Sequence, residues 1–569
     1  MLYKKLWFVP ILTLILFATS YSQDVITLLP FSGDPSTFVN EQIVADTTAN
    51  GGILPNRVYE FQRDGIYLTR AIFNVPNGST LRLRAAEGTG KKPIIYLFET
   101  GTGSTPTRPP GNFVVLNGAN LEIKNICIAG YYEPEPDRVD GVQGGLINTS
   151  APGNSIILDG VILSNINGQQ VRTGHQSTKV SVTNSIFANM GALTTSNLGA
   201  GKGIDFRDMA IDTVIIENTT FINYQDRPIR HYNVAAGNPY TGNFGYCRIN
   251  HNSFINGMGY HGLFSLGNLG SRAIITDNLF VDAFALGEDS SDATRTAEWG
   301  NTGEIYPNGN NRITWIFSAP NDTTQWIVKN NYYTLSSAGQ GWLDAVHFGH
   351  GPFPVGSQLS WHINSRLGAD SVNAFTKEDG LALNNITNLM TNMMTWYEDP
   401  DGGARSKNTP GTVFDKATDD FDRRVIQFYR DTLDAAYSTS ALAYTGAQGG
   451  FPVGDLNWWD PSIKEAWETW VTDVETEEGY IPESFSLEQN YPNPFNPSTK
   501  ITFSITQSGL TTLAIYNLLG EKITTLVNQE LNAGRHSVDF NASNLSSGVY
   551  FYRLESGNNI STMKMMLLK

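Results

Sequence analysis

The sequence predicts an all-β chain, a right-handed parallel β-helix followed by a small C-terminal β-sandwich. A short strand motif recurs down the middle, the composition is rich in turn formers, and strict strand alternation takes over near the C-terminus. Of 569 residues 55 are glycine, 11% are aromatic and only 16% are charged. With Asn, Thr and Ser conspicuous throughout, that mixture favours strands joined by many turns, because Gly and Asn accept the left-handed backbone that turns require.

The recurring motif is a strand ending on an aromatic or large aliphatic residue, often with Asn three positions earlier. It first reads Leu121-Glu122-Ile123-Lys124-Asn125-Ile126-Cys127-Ile128, and copies end at Leu163, Phe187, Phe221, Phe254, Phe280 and Tyr333. Gly160, His251 and Asp277 replace the Asn in three of the seven copies. Between successive ends the steps are 35, 24, 34, 33, 26 and 53 residues. A rung of a parallel β-helix needs a little over twenty, so these are rungs with insertions, the largest at about 284–325. A lone rung cannot bury its apolar face; rungs stacked at about 4.8 Å form a continuous core with aromatics and asparagines in columns. An Asn at the bend suits such a column because its amide can bond the next rung's backbone. Irregular spacing and the lack of a blade signature disfavour a propeller, and a β-sandwich is the other rival.

Residues from Ile53 to Ile95 are expected to cap and begin the solenoid, with Ser79-Thr80-Leu81-Arg82-Leu83 as an early rung. Beyond about 340 the pattern changes. Asp419 to Tyr429 and Pro461 to Val471 have helical spacing. Gly454-Asp455-Leu456-Asn457-Trp458 resembles the ending of many secreted β-helix proteins of the pectate-lyase-like kind. The division expected is a β-helix over 23–339, a C-terminal cap over 340–472, an acidic linker over 473–483 and a terminal domain over 484–569.

At the N-terminus, Met1-Leu2-Tyr3-Lys4-Lys5, an apolar run from Leu6 to Ala18 and Ser20-Tyr21-Ser22 read as a signal peptide spanning 1–22. The run is shorter than the ~20 residues that cross a bilayer, so no membrane span is expected. At the other end, Ile501, Phe503 and Ile505 alternate with Lys500, Thr502 and Ser504, and Leu519-Gly520-Glu521 and Asn532-Ala533-Gly534 mark turns. The run Tyr491-Pro492-Asn493-Pro494-Phe495-Asn496-Pro497, and its spacing to Gly548-Val549-Tyr550, resemble the type A sorting domain of the type IX secretion system. That resemblance implies export across an outer membrane by the type IX secretion machinery, with the product released or attached to the outer cell surface. An ordinary β-sandwich, of a kind that can bind sugar, is the alternative.

A net charge of −16 disfavours general nucleic-acid binding, which needs a basic footprint. The two cysteines, Cys127 and Cys247, sit in apolar strand patterns and are expected as buried thiols rather than a bridge.

The candidate site lies on a second strand that follows several rung endings. With Val171, Ile204, Phe206 and Ile229 facing inward, alternation sends Arg172, Asp205, Arg207 and Arg230 outward into one column. Lys202, Arg227, His231 and His261 lie close by in sequence. Strict alternation turns these four inward unless bends beside Gly203, Pro228 or Gly262 break the register. In so acidic a chain this column suits an acidic polysaccharide. Uronate lyases neutralise the sugar carboxylate, abstract the C5 proton and protonate the leaving oxygen. Lys202 or Arg230 are the candidate bases, His231 a further catalytic candidate, and Arg207 or Arg227 carboxylate ligands, with Arg172 and His261 as substrate-binding residues. A plain solvated charge ladder, with Arg207 paired to Asp205 or Asp208, is the competing reading.

Gly349-His350-Gly351 echoes a polygalacturonase triplet without a paired-aspartate motif upstream. No motif identifies a cofactor with certainty. Calcium is the one candidate, at Glu288-Asp289 with Asp292 or at Asp399 with Asp401-Gly402, although neither follows the EF-hand pattern and surface loops also account for them. Trp299, Tyr306, Trp315 and Trp326 offer a sugar-stacking platform, with core packing favoured for the last two. Two functions follow: a secreted polysaccharide lyase, or a surface β-helix that adheres to glycan without chemistry. The fold hosts both.

Overall fold

The computed structural model describes residues 23–99, 110–130, 145–191, 201–207, 209–231, 244–259, 263–266, 269–283, 314–315, 324–345, 367–386, 394–395, 433–474, 485–487, 489–490, 493–505, 509–518, 520–531, 534–557 and 559–568. The chain forms two compact units, Met1–Trp458 and Trp459–Lys569. The segment 1–22 and the helical pattern at 419–429 lie outside the described residues.

The first unit is a parallel β-helix. Its three sheets hold ten, ten and eight described strands, and every neighbouring pair in them is parallel. A typical rung runs from the first sheet (Asn154–Asp159) to the second (Ile162–Ile166) and the third (Gln169–Arg172), then back to the first one level up (Ser177–Thr183). Ile128, Leu163, Phe187, Phe221, Phe254, Phe280 and Tyr333 pair one onto the next in a single column of the second sheet. Within it the phenylalanine rings from 187 to 280 stand 5.0, 5.1 and 4.9 Å apart. The recurring aromatic is thus the core of one wall.

The bend before each of these endings has a single cause. Asn125, Gly160, Asn184, Asn218, His251, Asp277 and Asn330 all take φ between 48° and 65°. This left-handed backbone is least costly for Gly, Asn and Asp, which explains why Asn recurs and what replaces it. The rung-to-rung hydrogen bond expected of the bend Asn comes instead from the next residue. Backbone N–H groups of Val161, Ser185, Thr219, Asn252 and Asn278 donate to side-chain oxygens of Ser185, Thr219, Asn252, Asn278 and Asn331, at 3.2, 3.4, 3.1, 3.0 and 3.1 Å. The left-handed residue turns its own side chain away from the core, so its successor faces inward. A second amide column joins Asn165, Asn189, Asn223 and Asn256 at 3.1, 3.0 and 3.4 Å.

Strand pairing begins ahead of the Ile53–Ile95 stretch expected to cap the solenoid. Strand Asp24–Leu28 pairs with Arg57–Phe61, and helix Val39–Asn50 closes the end with Val39 and Ile43 in the core. The early rung at Ser79–Leu83 is present as strand Thr80–Ala85. Cys127 and Cys247 are buried free thiols pushed up to about 12 by burial. Trp326 packs half-buried against the core.

Gly454–Trp458 lies across four successive rungs at the left-handed bends. Gly454 N–H donates to the Asp277 carbonyl (2.9 Å) and Asp455 N–H to Ser253 Oγ (2.9 Å). Leu456 N–H reaches Asn218 Oδ1 (3.3 Å), Asn457 Nδ2 reaches Asn184 Oδ1 (3.4 Å), and Trp458 Nε1 donates to Thr220 Oγ1 (2.7 Å). Gly454 is required here: its φ is +93°, and a Cβ would stand 2.7 Å from Ser253 Oγ.

The second unit holds helix Pro461–Val474 and an antiparallel sandwich of one three-stranded and one four-stranded sheet. Ile501, Phe503 and Ile505 face its core with Leu513, Ile515, Tyr552 and Leu554. The turn at 517–521 is closed by Asn517 N–H donating to Glu521 O (3.0 Å), with Gly520 at φ 80°.

Candidate functional site

The third sheet positions the candidate residues. Ile147, Val171, Ile204, Ile229 and Phe264 pair in sequence from rung to rung and are fully buried. Their neighbours therefore form an outward row: Asn148, Arg172, Asp205, Arg230 and Ser265. Residues 24 to 35 positions apart in sequence thus become neighbours along the solenoid axis.

Charge pairing within the row is uneven. Arg230 Nη1 donates to Asp205 Oδ2 at 3.1 Å, and both residues are almost completely buried. Asp205 Oδ1 accepts from the backbone N–H of Arg207 at 3.1 Å, which holds Arg207 in a left-handed conformation (φ 54°). That backbone bond is what links Arg207 to Asp205 here. Arg172 is half-buried and makes no ion pair among the described residues.

Lys202 and Arg227 join this cluster through a residue that the sequence reading missed. Asp226, fully buried, stands 2.6 Å from the Lys202 ammonium and 3.8 Å from Arg227 Nε. Burial lowers the Lys202 pKa to about 8 against the attraction of Asp226 and Asp205, with Arg230 and Arg227 lowering it further. The signal for Asp226 was a lone acid in Gln225-Asp226-Arg227-Pro228, 24 residues beyond Lys202 and hence about one rung up. Among the described residues, Arg172, Lys202, Arg207, Arg227 and Arg230 give five positive charges. Asp205 and Asp226 are the acids paired with them, Asp226 beside Lys202 and Arg227 and Asp205 beside Arg230.

His231 is placed elsewhere. Its ring sits 4.2 Å from that of Phe244, inside the solenoid, with Nε2 3.0 Å from the Met209 carbonyl. Nε2 facing a carbonyl must carry the hydrogen, and burial brings the pKa down to about 4, so the ring is neutral at physiological pH. His261, Gly349-His350-Gly351, Glu288, Asp289, Asp292, Asp399, Asp401, Trp299 and Tyr306 lie outside the described residues, as does the Trp315 side chain. Among the described residues no group of three or more His, Cys, Asp or Glu is placed to hold a metal ion. No described helix is long and apolar enough to cross a membrane.

Residues 489–569 match the secretion system C-terminal sorting domain family, five residues inside the start at 484 expected from sequence. No curated protein matches the chain. The chain therefore carries a type IX secretion sorting domain, which marks it as a protein handled by the type IX machinery and secreted or held on the outer cell surface.

Proposed function

We propose that the protein is a secreted or surface-held β-helix that binds an acidic polysaccharide on the outer face of its third sheet. The observation that carries this is Arg172: a half-buried guanidinium with no ion pair among the described residues, in one row with the buried Asp205–Arg230 pair. A guanidinium pairs with a sugar carboxylate through two parallel hydrogen bonds, and the buried Lys202, Arg227 and Arg230 reinforce the attraction from behind. Arg172 and Arg207, both half-buried, are the side chains open to a ligand.

A second reading, β-elimination, is favoured by the lowered pKa of Lys202. A neutral Lys202 amine would take the C5 proton of a uronate; the electron pair left behind forms the C4–C5 double bond as the C4–O bond breaks. The leaving oxygen then takes a proton from water, since His231 is neutral and turned inward. Against it stands the near-complete burial of Lys202 in an ion pair with Asp226.

One experiment separates the readings. The full chain is titrated with acidic glycans while ultraviolet absorbance is followed for the unsaturated product. Binding without absorbance change is expected, and Arg172→Gln should weaken it about tenfold, the value of one charge-assisted contact. Undiminished binding by that variant overturns the site. An absorbance rise that climbs through pH 8 and vanishes in Lys202→Met would establish elimination instead.

A further inference from the structure

The second amide column ends on an acid. Asn165, Asn189, Asn223, Asn256 and Asp282 hold one position on successive rungs, with left-handed φ of 62°, 53°, 55°, 52° and 49°. Ile255 pairs with Val281 and Gly257 with Ala283, so Asp282 stands directly above Asn256. The bonds below it all run the same way. Asn189 Nδ2 donates to Asn165 Oδ1, Asn223 Nδ2 to Asn189 Oδ1 and Asn256 Nδ2 to Asn223 Oδ1, at 3.1, 3.0 and 3.4 Å. With its Nδ2 committed downward, Asn256 offers Oδ1, an acceptor, to the rung above.

An ionised Asp282 cannot continue that chain, because a carboxylate only accepts. We infer that Asp282 is held in the folded protein as a neutral acid whose O–H donates to Asn256 Oδ1, and that loss of this proton is a pH-sensitive release at the upper end of the column. Asp282 is completely buried. Its Oδ1 accepts from the backbone N–H of Ser336, one rung up, at 2.8 Å. Its Oδ2 is buried with no hydrogen-bond partner among the described residues. A charge left there would be costly, and a proton on Oδ2 removes the cost.

The groups facing Asp282 from the rungs below and above, Asn256 and Ser336, are uncharged. No charged group among the described residues shifts it: burial pushes the carboxyl up, while the Ser336 N–H and hydroxyl pull the other way. An unfolded aspartate titrates near about 3.9. The stability that the protonated acid contributes is therefore complete below about pH 3.9 and declines as pH rises from there. It is gone once Asp282 ionises within the fold. Asparagine would make both bonds at any pH, and the chain uses it on the four lower rungs. The change to an acid falls on the last residue but one of strand Leu279–Ala283, immediately before the largest insertion.

The test compares urea unfolding of the full chain and of Asp282→Asn between pH 4 and pH 8. The two should differ little at pH 4. As pH rises the variant should become the more stable, the ratio of folding constants widening by up to about tenfold per pH unit until Asp282 ionises in place. Asp277, raised to about 6 by burial, titrates in both chains and cancels in the comparison. Infrared difference spectra at pH 5 should show the carbonyl stretch of one protonated carboxyl that Asp282→Asn lacks. A variant less stable at every pH, or a gap that does not change with pH, overturns the inference. So does failure of the variant to fold, since an amide of the same shape would then be rejected where a donor is required.

Discussion

The passage from first sheet to second and the passage from second to third are built on opposite plans. Between Lys124 and Cys127, and at the five corresponding corners that follow up to Leu279, the first passage takes two residues every time, and one between Lys329 and Asn331. The second passage, from Ala129 to Gly145, Ile166 to Gln169, Met190 to Lys202, Tyr224 to Ile229 and Gly257 to Phe264, takes 15, 2, 11, 4 and 6 residues. A corner of fixed length brings equivalent side chains into contact at every level, so columns of like residues can form and reinforce one another. A corner of changing length leaves unlike residues facing each other, and there the charges gather. The stacked columns lie at the constant corner and the candidate site beside the variable one.

The largest effect expected from breaking this contrast is at Phe254. Its ring is stacked between Phe221 and Phe280 and meets Phe264 edge-on at 4.9 Å. Phe254→Ala opens a cavity that rigid rungs above and below cannot close, and should lower unfolding free energy by about 4 kcal/mol in urea denaturation. A loss under about 1 kcal/mol would mean that the column is not a shared core.

Next comes the polar column. Asn278 accepts from Asn252 N–H at 3.0 Å and donates to the Ile249 carbonyl at 2.9 Å. Asn278→Leu leaves the buried Asn252 N–H without the acceptor it has here, at a cost of about 2 kcal/mol. Asn278→Asp should cost less near its own pKa than at neutral pH, because only the protonated acid can donate to the Ile249 carbonyl. A pH-independent loss in that variant would show that the donated bond contributes nothing.

These same columns explain how much could be read in advance. The seven endings were legible because each is a local pattern of strand, bend and large apolar residue. The residues that follow the bend, Ser185, Thr219, Asn252, Asn278 and Asn331, were equally visible, but their partners lie one rung away and no local rule points to them. Helix Val39–Asn50 escaped notice because it buries little of its surface: Val39 and Ile43 suffice to close an open rung, which is too sparse for an apolar stripe. In the site, strand alternation placed Arg172, Asp205 and Arg230 in one row. It could not supply the pairing of Lys202 with Asp226, because the length of the variable passage decides which residue stands opposite. The sorting domain was the most legible part, since its Tyr491–Pro497 run is a local motif and its hairpins pair strands close in sequence, as Leu513 with Val527 and Tyr552 with Met563.

The smallest effect asks what the bend residue itself contributes. Asn125 has φ 58°, its N–H donates to the Asp159 carbonyl at 2.9 Å, and its side chain is half-buried rather than in the core. Here the following residue is the apolar, buried Ile126, so this corner lies outside the ladder of side-chain bonds, and the bend needs only a backbone that tolerates the left-handed region. Asn125→Ala should therefore lower stability by about 1 kcal/mol, the cost of a Cβ in that conformation. Asn125→Gly removes that cost but gives the unfolded chain more freedom, so its loss should be about half as large. The difference between the two substitutions, read from paired urea unfolding curves, isolates backbone strain from side-chain bonding. If glycine cost as much as alanine, the amide of Asn125 rather than its backbone would be holding the corner, and the division of labour between bend and ladder residues would collapse.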